Sequence, residues 1–218
     1  MRHCWLGLLL AVALSSAGGW VSPARAEDRA GAFDHYILAL SWNAAWCVAE
    51  GDGRGADQCD ANGAYGFILH GFWPQHERGW PDYCETEARD PSRAETAAMA
   101  DIMGSGGLAW YQWKKHGRCS GLDPADYFAV ARAAWENVRR PAVLREVEKR
   151  LRLDPGVVEA AFLEANPALE ADGVTVTCRG GFFREVRICL TKELEPRPCT
   201  GRARIDCESA SVIFVPMR

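Results

Sequence analysis

No C-x2-C pair occurs anywhere in this 218-residue chain, which removes the usual spacing of a structural zinc site. Long apolar runs are missing too. The compact run from Leu6 to Leu14 falls short of the roughly 20 residues that span a bilayer as a helix. No Pro- or Ser-rich linker, internal repeat or low-complexity tract divides the chain. An excess of positive charge is also lacking, with 25 basic against 29 acidic side chains. A surface that tracks long nucleic acid by neutralising phosphates is usually basic, so composition excludes an extended track of that kind. Either nucleic acid is not the ligand, or it is gripped over a few nucleotides in a locally basic cleft.

The first 26 residues read as a secretory leader. Arg2 and His3 make a positive start, Leu6 to Leu14 is the apolar segment, and Ala24-Arg25-Ala26 has the small-x-small pattern of a cleavage site. The rival reading, an uncleaved anchor, is disfavoured by the short run. Residues 27–218 are expected to form one domain with a real core, either periplasmic or outside the cell, without membrane attachment. Loss of the leader removes Arg2 and Arg25, leaving 23 basic against 29 acidic side chains, a charge of −6. Cys4 also leaves, and Cys47, Cys59, Cys84, Cys119, Cys178, Cys189, Cys199 and Cys207 remain. An even count in an exported chain implies disulfides, although eight cysteines allow about 105 pairings.

Periodicity gives the elements. Phe33 to Trp42 reads as a strand buried on at least one face. Ala64 to Leu69 reads as a second strand that ends at His70-Gly71 and is stopped by Pro74. Ser92 with Glu95 marks a capping box for a helix over Arg93 to Met103. Leu108 to His116 is a short helix ended by Gly117. Asp123-Pro124 opens the next helix, whose apolar stripe runs from Tyr127 to Val138. Val143 to Leu151 and Gly156 to Asn166 read as further helices. Strands are predicted over Val174 to Cys178, Phe182 to Leu190 and Ser211 to Val215. The Gly51 to Gly63 stretch reads as a loop. Helices in the middle and strands at both ends predict an α+β fold, a mostly antiparallel central sheet with packed helices, stabilised by disulfides.

Two short stretches carry the chemistry: Phe67 to Gln75, which contains His70 and Trp73, and Tyr111 to Cys119, which contains Lys115 and His116. On a helix, Gln112, Lys115 and His116 share one face, while Trp113 points to the core. Trp73 offers a surface on which a base can stack, and Gln75 can read hydrogen-bonding edges. An imidazole with an ordinary pKa near 6.5 lets one histidine be neutral while a partner is protonated. His35 and His76 are read as structural, and Trp42, Trp46 and Trp135 as core. Lys114 is read as a solvated charge, and the basic run from Arg139 to Arg152 as a helix face.

Both stretches resemble the two signature segments of the ribonuclease T2 family of secreted acid ribonucleases. Phe67 to Pro74 is similar to F-T-[IL]-H-G-L-W-P, with Phe72 in place of Leu. Tyr111 to Cys119 is similar to H-E-W-x-K-H-G-x-C. The resemblance implies a metal-free, cofactor-free endoribonuclease acting on single-stranded RNA as a monomer, with little base specificity. It implies that the 2′-hydroxyl attacks phosphorus to give a 2′,3′-cyclic phosphate. By position, His70 and His116 would be the acid–base pair in an order left open, and Lys115 would stabilise transition-state charge. Trp73 and Gln75 would hold a base, and Tyr111 would help hold phosphate. The implied disulfides are Cys47–Cys59, Cys84–Cys119, Cys178–Cys207 and Cys189–Cys199. Tyr111 stands where the family has histidine, and Gln112 where it has its catalytic glutamate. The loss of that carboxylate predicts weakened cleavage with a less acidic optimum. Two alternatives stay open: a catalytically weakened homologue that binds RNA or protein, and a metal-dependent hydrolase.

Overall fold

A computed structural model describes residues 29–60 and 65–217. The expected leader over residues 1–26, and Ala64 at the start of the second expected strand, lie outside the described residues. Six strands form one sheet in the order β2-β1-β5-β6-β3, with β4 paired to β5. They are β1 His35–Trp42, β2 Phe67–Gln75, β3 Leu151–Leu153, β4 Val174–Arg179, β5 Phe182–Leu190 and β6 Val212–Phe214. All pairs are antiparallel except β5 with β6, which meet in parallel at Phe182 and Ile213. The helices are α1 Asn43–Trp46, α2 Arg93–Ala97, α3 Ala100–Met103, α4 Gly106–Lys115, α5 Pro124–Asn137 and α6 Pro155–Ala165. The expected α+β class holds.

Alternation along β1 divides the molecule. Tyr36, Leu38, Leu40 and Trp42 point into the main core. There they meet residues such as Phe72, Tyr127, Phe162 and Phe214. Ile37 and Ala39 face the other way, into a small cluster with Cys189, Cys199 and Ala203. That second face is the floor of the cleft. The Tyr127 hydroxyl donates to the Phe72 carbonyl at 2.7 Å and ties α5 to the back of β2.

Local signals set the helix starts. Ser92 and Glu95 form a reciprocal capping box on α2. Asp123 caps α5 through the Asp126 N–H, and Pro124 opens the helix. The four disulfides are Cys47–Cys59, Cys84–Cys119, Cys178–Cys207 and Cys189–Cys199, the pairing implied by the resemblance.

Several expectations are corrected. β2 does not end at His70; it runs through Gly71 and Pro74 to Gln75. It lies at the edge of the sheet, where a residue without an N–H is tolerated. His70 is the extra residue of a bulge: Leu40 pairs with Leu69 and Ala39 with Gly71. The helix predicted over Arg93 to Met103 is broken at Ala98-Met99. The Arg132 guanidinium takes the Ala98 carbonyl at 2.8 Å, and Ile102 N–H turns to Met99 instead. Val143 to Leu151 is not a helix. A 3-10 turn covers Ala142–Arg145, and Leu151 is drawn into β3 by pairing with Phe214. The basic run from Arg139 to Arg152 is therefore not a helix face. Trp46 is half-buried beside a cavity rather than in the core.

Candidate active site

The bulge in β2 aims His70 at the cleft face of the sheet, as bulges re-aim side chains. Its Nδ1 meets Glu185 Oε1 on β5. Between them in register is β1, where Ala39 is opposite both Gly71 and Arg187. Small residues at 39 and 71 leave room for long side chains to reach across.

The opposite wall is the last turn of α4. Ser105 caps its start, accepting from the Leu108 N–H at 3.1 Å. His116 closes its end, its N–H bonded to the Gln112 carbonyl at 2.9 Å. Trp113 is fully buried in the core and donates to Asp90 at 3.1 Å. Its anchoring turns Gln112, Lys115 and His116 to the cleft together. Lys114 is exposed.

Trp73 joins the walls. Its ring lies 5.3 Å from that of His70 and 5.3 Å from that of His116, centroid to centroid. Its Nε1 donates to Gln112 Oε1 at 2.8 Å. The Arg187 guanidinium sits 5.4 Å from its ring centroid. His70, Trp73, Gln75, Tyr111, Gln112, Lys115 and His116 all line one cavity of about 370 Å³. All seven residues of the predicted site thus meet. Gln75 is buried, its amide turned onto the Pro74 carbonyl at 2.8 Å. Tyr111 is exposed at the junction with a second cavity of about 870 Å³, which also reaches His70 and Glu185.

The electrostatics are uneven. Among the described residues, no acidic side chain lines the smaller cavity. Gln112 is 1% exposed and brings a neutral amide to this wall. His116 is 7% exposed, and its Nδ1 is buried without a partner, which leaves Nε2 to face a ligand. Burial, then Lys115 and His70, push its pKa down to about 3. Its ring is neutral across the ordinary pH range. Burial would raise the Glu185 carboxyl. The His70 hydrogen bond, the charges of His70 and Arg187, and the Ser41 hydroxyl overcome this and hold it well below the usual range.

Sequence reasoning missed Glu185, Arg187, Ser41 and Trp80. Alternation in Phe182–Leu190 carries a signal, since Glu185 and Arg187 fall on one face and Val186 and Ile188 on the other. Trp80 is exposed in the smaller cavity with Arg202 over its ring at 5.7 Å. Among the described residues, the one cluster with metal-ligand spacing is Cys47, Asp52 and Cys59, whose thiols are joined in a disulfide. No helix among them is long and apolar enough to cross a membrane.

A family model described as Ribonuclease T2 family matches residues 33–199. A ribonuclease of Aeromonas hydrophila is 36% identical over 193 residues, covering 86% of this chain and 83% of the relative. Ribonuclease I of Escherichia coli K12 is 28% identical, covering 93% of this chain and 92% of the relative. Among solved structures, an RNase-related protein from Calystegia sepium superposes with a TM-score of 0.67 at 18% identity. That likeness covers 84% of this chain and 97% of the other. With the model match spanning most of its length, this chain belongs to the ribonuclease T2 family.

Proposed function

We propose that this protein is a ribonuclease T2 homologue with weakened catalysis, which binds single-stranded RNA in the cleft and cleaves it slowly. The observation that carries this reading is the pairing of His70 and His116 across Trp73, with a buried neutral amide, Gln112, in the same wall. His116 is neutral and takes the proton of the 2′-hydroxyl through Nε2. The 2′-oxygen attacks phosphorus and forms the 2′,3′-cyclic phosphate. The P–O5′ bond breaks, and the departing oxygen takes the proton on the His70 ring. Lys115 and Arg187 bring positive charge to the phosphoryl oxygens. Trp73 and the exposed rings of Trp80 and Tyr111 give apolar faces for bases, which fits low base specificity. Gln112 cannot supply a charge to make His116 more basic, so proton abstraction is slow.

A second reading, full ribonuclease activity, is favoured by the intact His70, Lys115 and His116. Under either reading the protein acts as a monomer in the periplasm or outside the cell after loss of residues 1–26. To decide between them, purified protein is mixed with homopolymer RNA in a chelator, and binding and chain shortening are measured together. Binding with slow shortening supports the first reading, and rapid turnover the second. Absence of both binding and shortening contradicts both, and shortening abolished by the chelator points to a metal-dependent hydrolase.

A further inference from the structure

The most unusual group in the cleft is a buried carboxylate on the sheet. Glu185 is 7% exposed in the middle of β5. Its Oε1 accepts from the Ser41 hydroxyl at 2.9 Å and meets His70 Nδ1. Its Oε2 accepts from Arg187 Nε at 3.1 Å and Nη2 at 2.9 Å. Buried ion pairs seldom repay their desolvation in stability, so this cluster is poorly explained by folding alone. The groups around it come from the neighbouring strands: Ser41 on β1, His70 on β2, Arg187 on β5, and Thr177 and Arg179 on β4, where Thr177 is opposite Glu185. Lys115 and His116, at the end of α4, share the smaller cavity with His70. Arg184 is held by Glu50 at 3.1 Å.

We propose that Glu185 is a positioning residue for His70, so that the site draws its carboxylate from the sheet rather than from the helix. A carboxylate only accepts hydrogen bonds, so the His70 nitrogen facing it must carry a proton. The neutral ring is therefore the Nδ1–H tautomer, and Nε2 points to the cleft. When Nε2 also takes a proton, the adjacent negative charge stabilises the cation. That protonated ring is the form able to give a proton to the leaving oxygen. Arg187 fixes the other carboxylate oxygen, which keeps the acceptor aimed at His70. The proposal rests on reading the cleft as an RNA-cleaving site, but its geometry can be tested without turnover.

Two measurements test it. In native protein labelled with 15N-histidine, the His70 ring is expected to show a hydrogen-bonded Nδ1–H at both low and neutral pH. A neutral His70 in the Nε2–H tautomer overturns the proposal, whether or not the protein cleaves RNA. The second is Glu185→Gln, which keeps shape and removes charge, assayed on a dinucleotide across pH. The expected result is a kcat loss on the order of 10²-fold with KM nearly unchanged. Glu185→Asp is expected to recover part of the loss. A folded Glu185→Gln protein with an unchanged kcat overturns the proposal.

Discussion

Gln112 and His116 stand one helical turn apart and both touch Trp73, so a charge at one is felt at the other. A carboxylate at 112 would still accept from Trp73 Nε1 and would raise the His116 pKa from its depressed value of about 3. Gln112→Glu is therefore expected to cleave homopolymer RNA about tenfold faster near neutral pH, a supporting effect smaller than the ~10²–10⁴ of a general acid–base group itself. The sign of the pH effect reverses the expectation drawn from the sequence. A lower pKa keeps His116 neutral further into acid, so the natural chain holds its rate to lower pH and the Glu variant loses it sooner. Rates no faster at any pH would remove the view of Gln112 as an impaired position. At this scale the site was legible where spacing is local. His70 to Gln75 and Tyr111 to His116 each lie within one element or its end. Glu185 is 115 residues from His70, and alternation alone does not say which strand β5 would neighbour.

The bulge and the helix end are the elements that bring the histidines together. A Cβ on Gly71 would lie 2.0 Å from Trp73 Nε1 and 2.5 Å from Gln112 Oε1. Gly71→Ala must therefore part Trp73 from Gln112, at a cost of about 1–3 kcal/mol. Urea unfolding and turnover are both expected to fall. An unchanged midpoint would show that the two walls do not need this close approach. Cys84–Cys119 ties the loop after β2 to the 3-10 turn that follows His116. Removing it, or Cys178–Cys207, is expected to cost about 2–5 kcal/mol each. The enclosed separations are similar, 35 and 29 residues, yet turnover should fall further for the first pair because it abuts His116. Equal turnover losses would contradict that link. Helix starts were legible because caps act locally, as at Ser92 and Asp123. The bulge, the break at Ala98 and strand β3 were not. Each depends on a distant partner: Ala39 and Leu40, Arg132, and Phe214.

At the scale of the whole molecule, two buried histidines among the described residues have pKa values lowered by burial below the ordinary 6.5. His35 is fully buried, with neither ring nitrogen partnered; Arg197 adds to the lowering, while Glu77 and Asp34 oppose it and His76 adds slightly. Below pH 6.5 the unfolded chain binds protons that the folded one does not, so stability is full above that pH and lost as it falls. Each histidine contributes up to about 1.4 kcal/mol per pH unit. Tm is expected to drop by a few degrees between neutral pH and pH ~5. His35→Phe should flatten that slope, and an unaltered slope would show that His35 does not titrate on unfolding. The α+β class and the disulfide partners were legible at this scale because strand-rich ends and the family resemblance constrain them together. The net charge was informative in a different way. The acidic total hides a cleft whose smaller cavity is lined by Lys115, Arg187 and Arg202 and, among the described residues, by no acid. The central claim is that His70 and His116 cleave RNA through its own 2′-hydroxyl, slowly. The most direct measurement is 31P NMR of product ends from homopolymer RNA in a chelator, with native protein and with His116→Ala. The account predicts slow appearance of 2′,3′-cyclic phosphate ends from the native protein and none from the variant. Ends bearing 5′-phosphate, or cyclic ends from folded His116→Ala at the native rate, would contradict it.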